Sequence, residues 1–586
     1  MEKSAEVIFL PTDPKRIERK LEKKKRIVRV AAGLERADVV LRNATYLNVF
    51  SNELVRGDIA VAEGLIAGIG EYSGKIEYDM ADSIVLPGFI DSHIHLESAL
   101  VSPAEFARAV LPHGTTTVIA DPHEIANVMG TEGLDYMFAA CASLPLDVHF
   151  MLPSCVPATP EDESGCTLSW QALDPYFEHP KVLGLAEMMD FPGVTGAMDT
   201  PIEKIVLAQS HHKKIDGHAP GLTGRALNAY IAAGVYSDHE CSDLSGALEK
   251  LRLGQFIMIR EGTAAHNLRA LHPLIDRQHM DRCMFCSDDK HPDALVSAGH
   301  IDDIIRSAIA MGADPIAAAK VGTHSAARYF LMNNKGAIAP GYLADFAVID
   351  DFRSFRIQKV FKRGSLVYDG TLAPFPDPEI PLPLAQAARD TIHIAPVSPE
   401  TFASARPLPV IGMISGELLS RDLGFAEAMD ASHDLLKIAL VERHHATGHV
   451  GLAYLAGYGL KRGAIATSVS HDSHNIIVVG ASEADMAFAV NRIRDMRGGI
   501  AVVENGEVRA EVPLPIAGLI SALPLQETFE LLESAKAAAH ALGVTNGVDP
   551  FMTLSFMALT VIPELRITTH GAFNVIHQSY MEELAK

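Results

Sequence analysis

Cysteine is scarce: six in 586 residues, too few to scaffold a secreted protein with disulfides and in keeping with a reducing cytoplasm. A legible leader is missing too. After Phe9-Leu10 the chain runs through residues 15–26 with acids mixed among bases, which reads as a solvated helix rather than a targeting sequence. Long apolar runs are lacking: residues 512–523, the longest near the C-terminus, fall short of a membrane span and are broken by prolines. There is no repeat and no low-complexity stretch. Nor is there a basic surplus. The formal net charge of −23 excludes non-specific binding to nucleic acid or anionic membrane. These absences predict a cytoplasmic protein with neither nucleic acid nor membrane as partner.

What is present is a globular balance, 48% hydrophobic and 21% charged, with enough apolar material for several cores. The length predicts three or four domains. Residues 1–34 read as a helical extension. Short strands with turns occupy 35–83 and return at 336–372, which predicts one small β-sandwich domain assembled from both flanks of an insertion. Between them, 84–335 alternates apolar strands with helical patterns. Strand ends are expected near His93, Asp121, His149, Glu187, His218, His239, Arg260 and Asp288, spaced like successive strand-plus-helix units. Eight such units predict a (β/α)8 barrel, because polar residues recur at the ends where a barrel collects its site. An open doubly wound sheet is the alternative. Prolines stiffen a linker at 373–389, and 390–586 reads as a separate C-terminal α/β domain.

His93-Ile-His95 follows the first apolar strand. Alternate residues on a strand share a face, so both imidazoles lie side by side and can chelate one ion. Among 26 histidines such a pair arises readily by chance, and the other strand ends give it weight. Glu187, His218, His239 and Asp288 would converge with it on one face. Four imidazoles and two carboxylates suit a divalent transition metal, with manganese, iron and zinc all compatible. Six donors exceed one tetrahedral ion and suit two ions bridged by a shared carboxylate, between which a water would become acidic.

The motif Pro87-Gly-Phe-Ile-Asp-Ser-His-Ile-His95, the strand ends at His218 and His239, Ser287-Asp288 and the run from Gly336 to Asp350 resemble the amidohydrolase superfamily. Many binuclear members bridge their metals with a carboxylated lysine ending strand four; this chain has Glu187 there. That departure, with His95-Leu-Glu-Ser-Ala-Leu100, Ile119-Ala-Asp-Pro-His-Glu-Ile-Ala-Asn127, Ala186-Glu-Met-Met-Asp190 and Ser468-Val-Ser-His-Asp-Ser-His-Asn475, resembles the bacterial adenine deaminases over nearly the whole length. The resemblance implies a metal-dependent hydrolase barrel that converts adenine to hypoxanthine and ammonia, with a hydroxide between two metals attacking C6. It implies His93, His95 and Asp288 on one ion, His218 and His239 on the other and Glu187 between, with manganese the first expectation, iron or zinc the others, and a homodimer. Asp288 would take the proton of the attacking oxygen.

Protonation of the ring at N1 needs a second acid, for which Glu240, His123, Glu124 and Asp289 are candidates, and His123 could instead ligate metal. The segment carrying His471, Asp472 and His474 is either a lid on the purine, with Glu124 as a further substrate contact, or a self-bonded polar turn. Arg443-His-His-Ala-Thr-Gly-His449 reads as surface or partner contact. Rival readings are a cyclic amidase of the dihydroorotase or hydantoinase kind, a non-catalytic barrel scaffold, and a cytidine-type zinc deaminase built on His95-Leu-Glu97 and Cys283-Met-Phe-Cys286. In the last, Arg282 replaces the expected proline.

Overall fold

The computed structural model describes residues 14–263, 265–414 and 419–581. Eight parallel strands form the central unit: Phe89–Ile94, Thr115–Ala120, Asp147–Leu152, Val182–Met188, Lys214–Gly217, Ser237–Asp238, Phe256–Arg260 and Cys283–Cys286. The first five pair in chain order as one arc and the last three as another. A parallel bridge between Ile94 and Asp288 joins the first strand's end to the eighth's. Helices cover these strands on the outside, so the strands are buried on both faces, as Thr115–Ala120 shows by being buried throughout. Inside, Ile90, Ile119, Met151, Ala186, Met258 and Met284 fill the barrel against Tyr329 and Phe330. It is a packed core with a site only at its C-terminal face.

One strand departs from the expectation. The third runs on to Leu152, which leaves His149 half-buried in its first half rather than at the site. Burial, with Lys335 nearby, pushes that imidazole down to about 4. The apolar run Phe150-Met-Leu152 continues the pleat past the histidine.

The flanking domain has a four-stranded and a six-stranded sheet. Ile84–Pro87, assigned to the barrel from sequence, is instead a strand of the six-stranded sheet, antiparallel to Phe346–Ile349 and parallel to Thr45–Asn48. Helix Pro14–Ala31 is largely exposed, but Ile27 and Val30 are buried against Val40 and Ala60. The proline-rich segment is no free spacer: Arg108 bonds to the Phe375 carbonyl and to Asp377, and Ala388 is buried in the barrel's outer core. Beyond it an eight-stranded sheet, mostly antiparallel, carries helices Glu483–Met496 and Leu525–Ala541. No helix among the described residues is long and apolar enough to cross a membrane.

The flanking domain meets the barrel through a buried ion cluster. Lys335 and Lys362 each bond to both Asp147 and Asp345. Removing one member leaves uncompensated buried charge, which costs several kcal/mol. Asp345→Ala is therefore expected to destabilise the protein by about 3–5 kcal/mol, read from denaturant unfolding; a change below about 1 kcal/mol would mean that the lysines find other partners.

Candidate active site

Glu187 ends the fourth barrel strand, 4% exposed, with one oxygen toward each of two imidazole pairs. Oε1 lies 3.2 Å from His95 Nε2 and 3.7 Å from His93 Nε2. Oε2 lies 2.8 Å from His218 Nδ1 and 3.2 Å from His239 Nε2. Asp288 completes the first group, with Oδ1 3.0 Å from His95 Nε2 and 3.7 Å from His93 Nε2. The six strand-end residues singled out from sequence thus come together, all but the partly exposed His218 buried.

The strands hold them by short bonds. His95 Nδ1 lies 3.1 Å from the Asp121 carbonyl, a partner that can take only a hydrogen, so Nε2 is left as the free electron pair. Asp91 accepts from the backbone N–H groups of His93 and Ser287 and from the Ser287 hydroxyl, and His300 Nε2 is 3.0 Å away. This ties the first strand to the eighth directly beneath the site. Asp288 stands at φ 57°, a left-handed conformation that an aspartate adopts more readily than most residues. Burial alone would raise the Asp288 carboxyl, but Arg260 and the imidazoles outweigh it and hold it well below its ordinary value.

The donor set fits divalent metal. His93 Nε2 is buried without a hydrogen-bond partner and faces two carboxylates, and nitrogen with carboxylate oxygen suits manganese, iron or zinc. His123 sits at the edge, with Nδ1 3.1 Å from Asp121 and 3.7 Å from Glu187, and Nε2 3.7 Å from Asp472. Asp121 therefore belongs to the neighbourhood, although the sequence reading gave it no role.

Glu240 is corrected as an acid candidate. Arg260, from the seventh strand, donates to both Glu240 oxygens and also to Asp288. Burial would raise the Glu240 carboxyl, but Arg260 and the neighbouring imidazoles keep it ionised, and an ionised carboxylate has no proton to give. Arg260, a polar strand end in the sequence, is the residue that holds both carboxylates.

A cavity of about 330 Å³ opens above the cluster. His95, His123, Glu187, His218, His239, Glu240 and Asp288 floor it, with Asp289 and Arg260. His471 and Asp472 of the C-terminal domain reach in, and Phe556, Leu559, Val561 and Ile562 form an apolar wall. Glu124 and His474, expected as substrate contacts, do not line the cavity. They lie behind His471, fully buried, with Glu124 Oε1 2.8 Å from Ser98 Oγ. The 470–475 segment is a self-bonded turn, with Ser470 Oγ donating to the Asn475 carbonyl and His474 N–H to the Ser470 carbonyl, and it reaches the cavity as well. Arg443 is not at the surface. It is wholly buried, donating to the carbonyls of His474, Ala517 and Thr391, and His444 Nε2 donates to that of Ser473. Carbonyls turned inward by the 470–475 turn need donors, and these two residues supply them; only His445 to His449 remain near solvent. Cys283 and Cys286 are buried in the eighth strand with thiols raised by burial, whereas the groups gathered at His93, His95, Glu187, His239 and Asp288 are imidazoles and carboxylates, which speaks against the cytidine-type arrangement.

A family profile described as "Amidohydrolase family" matches residues 84–367, and one described as "Adenine deaminase C-terminal domain" matches 417–579. An adenine deaminase 2 of Carboxydothermus hydrogenoformans is 44% identical over 561 residues, covering 94% of this chain and 98% of that protein. The chain belongs to the adenine deaminase family. Another member, the adenine deaminase of Clostridium acetobutylicum, is 42% identical over 576 residues, covering 96% of this chain and all of that one. Among solved structures, the β-aspartyl dipeptidase of Fervidobacterium islandicum AW-1 is 19% identical with a TM-score of 0.44, covering 58% of this chain and 99% of its own.

In this adenine deaminase family chain the loop after the third strand docks on the C-terminal domain beside the cavity. Asp162 is buried there, bonded by Thr560 Oγ1 at 2.8 Å, and burial raises its carboxyl to about 7. A raised carboxyl keeps its proton in the folded state after the unfolded state has lost it, so its contribution to stability falls as pH rises from about 4 to 7. Asp162→Asn is expected to gain melting temperature relative to wild type between pH 5 and pH 8; equal differences at both would show that Asp162 does not titrate on folding.

Proposed function

We propose that this protein hydrolyses adenine to hypoxanthine and ammonia, as a metal-dependent aminohydrolase. The observation that carries the reading is the division of Glu187 between two imidazole pairs beneath a cavity closed by the C-terminal domain, in a chain 44% identical to a named adenine deaminase over 94% of its length. His93, His95 and Asp288 would hold one ion and His218 and His239 the other, with Glu187 shared; manganese is proposed ahead of iron or zinc. Such ions, when bound, supply Lewis-acid activation of water at neutral pH.

The chain's own groups do the rest. Asp288, kept ionised by Arg260, accepts a proton as oxygen adds to C6 and returns it to the departing amine. Phe556, Leu559, Val561 and Ile562 give a flat purine an apolar wall and keep water out. Arg260 fixes Glu240 and Asp288 as anions. The substrate is a free purine base. A cyclic amidase reading has less support, because the C-terminal domain that closes the cavity matches the adenine deaminase profile. We place the protein in the cytoplasm as a homodimer. Exposed Leu423 and Phe425 on strand Ser420–Ala426 support a contact between copies, and the net charge of −23 argues against nucleic acid and anionic membrane.

Manganese-reconstituted protein is expected to release ammonia from adenine and not from adenosine, cytosine or dihydroorotate, with Asp288→Asn slower by about 10²–10⁴-fold. No release from adenine by metal-loaded protein would sink the assignment. Elemental analysis should find about two equivalents of metal in the wild type and fewer in Glu187→Ala; an unchanged count would contradict the bridging role.

A further inference from the structure

Addition to C6 of a purine moves the C6–N1 π electrons onto N1, which must take a proton. Of the acids that the sequence offers, Glu240 is spent on Arg260 and Glu124 lies behind the cavity wall. Asp289 shares the one Ser98 hydroxyl hydrogen with Glu124. His123 points one nitrogen at Asp121 and Glu187 and the other at Asp472. We propose that His471, supplied by the C-terminal domain, is the catalytic acid that protonates N1, with Glu124 as the residue that positions it; this deepens the adenine reading and rests on it.

The geometry favours the imidazole of His471. It lines the cavity, stacked on Phe556 at 4.7 Å and 20°, and its backbone N–H is 3.3 Å from Ser555 Oγ. Three carboxylates face it from three elements: Asp472 on its own turn, Glu124 on helix His123–Met129 and Asp289 after the eighth strand. Of the cationic groups nearby, His123 faces Asp472 from the other side, and His474 is tuned to be neutral. The Ser470 N–H points at His474 Nδ1, so the ring hydrogen sits on Nε2, 3.8 Å from Glu124 Oε2. Burial holds His474 well below its ordinary value. Glu124 thus shares the one Ser98 hydroxyl hydrogen with Asp289, stands 3.8 Å from His474 Nε2 without a hydrogen bond to it, and faces His471. Burial alone would lower the His471 imidazole, but the bond to Asp472 and the charges of Asp289 and Glu124 outweigh it and raise it to about 9.

The step balances. The His471 N–H bond breaks and N1–H forms, while water oxygen bonds to C6 and one water proton passes to Asp288. The C6–N6 bond then breaks with Asp288 returning its proton to the amine. The remaining C6 hydroxyl proton is given up as the carbonyl forms, restoring His471.

The test uses metal-loaded full-length enzyme, with kcat and KM for adenine followed from pH 6 to 10 and metal content measured alongside. His471→Gln is expected to keep its metals and a KM within about threefold, to lose about 10²–10³ in kcat, and to lose the alkaline fall near pH 9 that the wild type shows. Glu124→Gln, which keeps the acid, should remain active with the alkaline fall moved to lower pH. A His471→Gln enzyme within threefold of wild-type kcat, or an alkaline fall that neither variant moves, would overturn the proposal while leaving the adenine reading intact. A wild type that does not turn over adenine would instead remove the reading itself.

Discussion

A carboxylate as buried as Glu187 is costly unless every oxygen is compensated, and the whole arrangement follows from how that is met. Its two oxygens face His93 and His95 on one side and His218 and His239 on the other. These imidazoles come from the ends of three different strands and Glu187 from a fourth, so the contact exists only if the barrel closes in one register. Asp91 enforces that register from below by bonding the ends of the first and eighth strands.

The C-terminal domain is part of the site. Arg443 and His444 spend their hydrogens on carbonyls of the turn that carries His471 and Asp472, and Asn475 of the same turn donates to the Glu163 carbonyl of the barrel loop. The apolar wall from Phe556 to Ile562 comes from the same domain. The cavity is therefore built by docking between domains as well as by the barrel.

Much of this was legible in the sequence, for a physical reason. Barrel strands are buried and largely apolar and end in polar residues, so strand spacing and chemistry coincide at His93, Glu187, His218, His239 and Asp288. His149 misled because a strand's end is set by its apolar run, which continued to Leu152. Ile84–Pro87 reads like a barrel strand because both sheets bury both of its faces. What stayed hidden depends on contacts distant in sequence. Arg443 looks like surface in a histidine-rich stretch until inward-facing carbonyls claim it, and Glu240 looks like an acid until Arg260, twenty residues on, takes both its oxygens. The wall at Phe556 resembles any apolar run.

The most direct test of the account is anomalous diffraction at the manganese edge from crystals of the loaded protein soaked with a purine that cannot react. The account predicts two peaks, one among His93, His95 and Asp288 and the other at His218 and His239, with Glu187 touching both and the purine against Phe556. A single peak, or Glu187 outside the coordination of either ion, would contradict it.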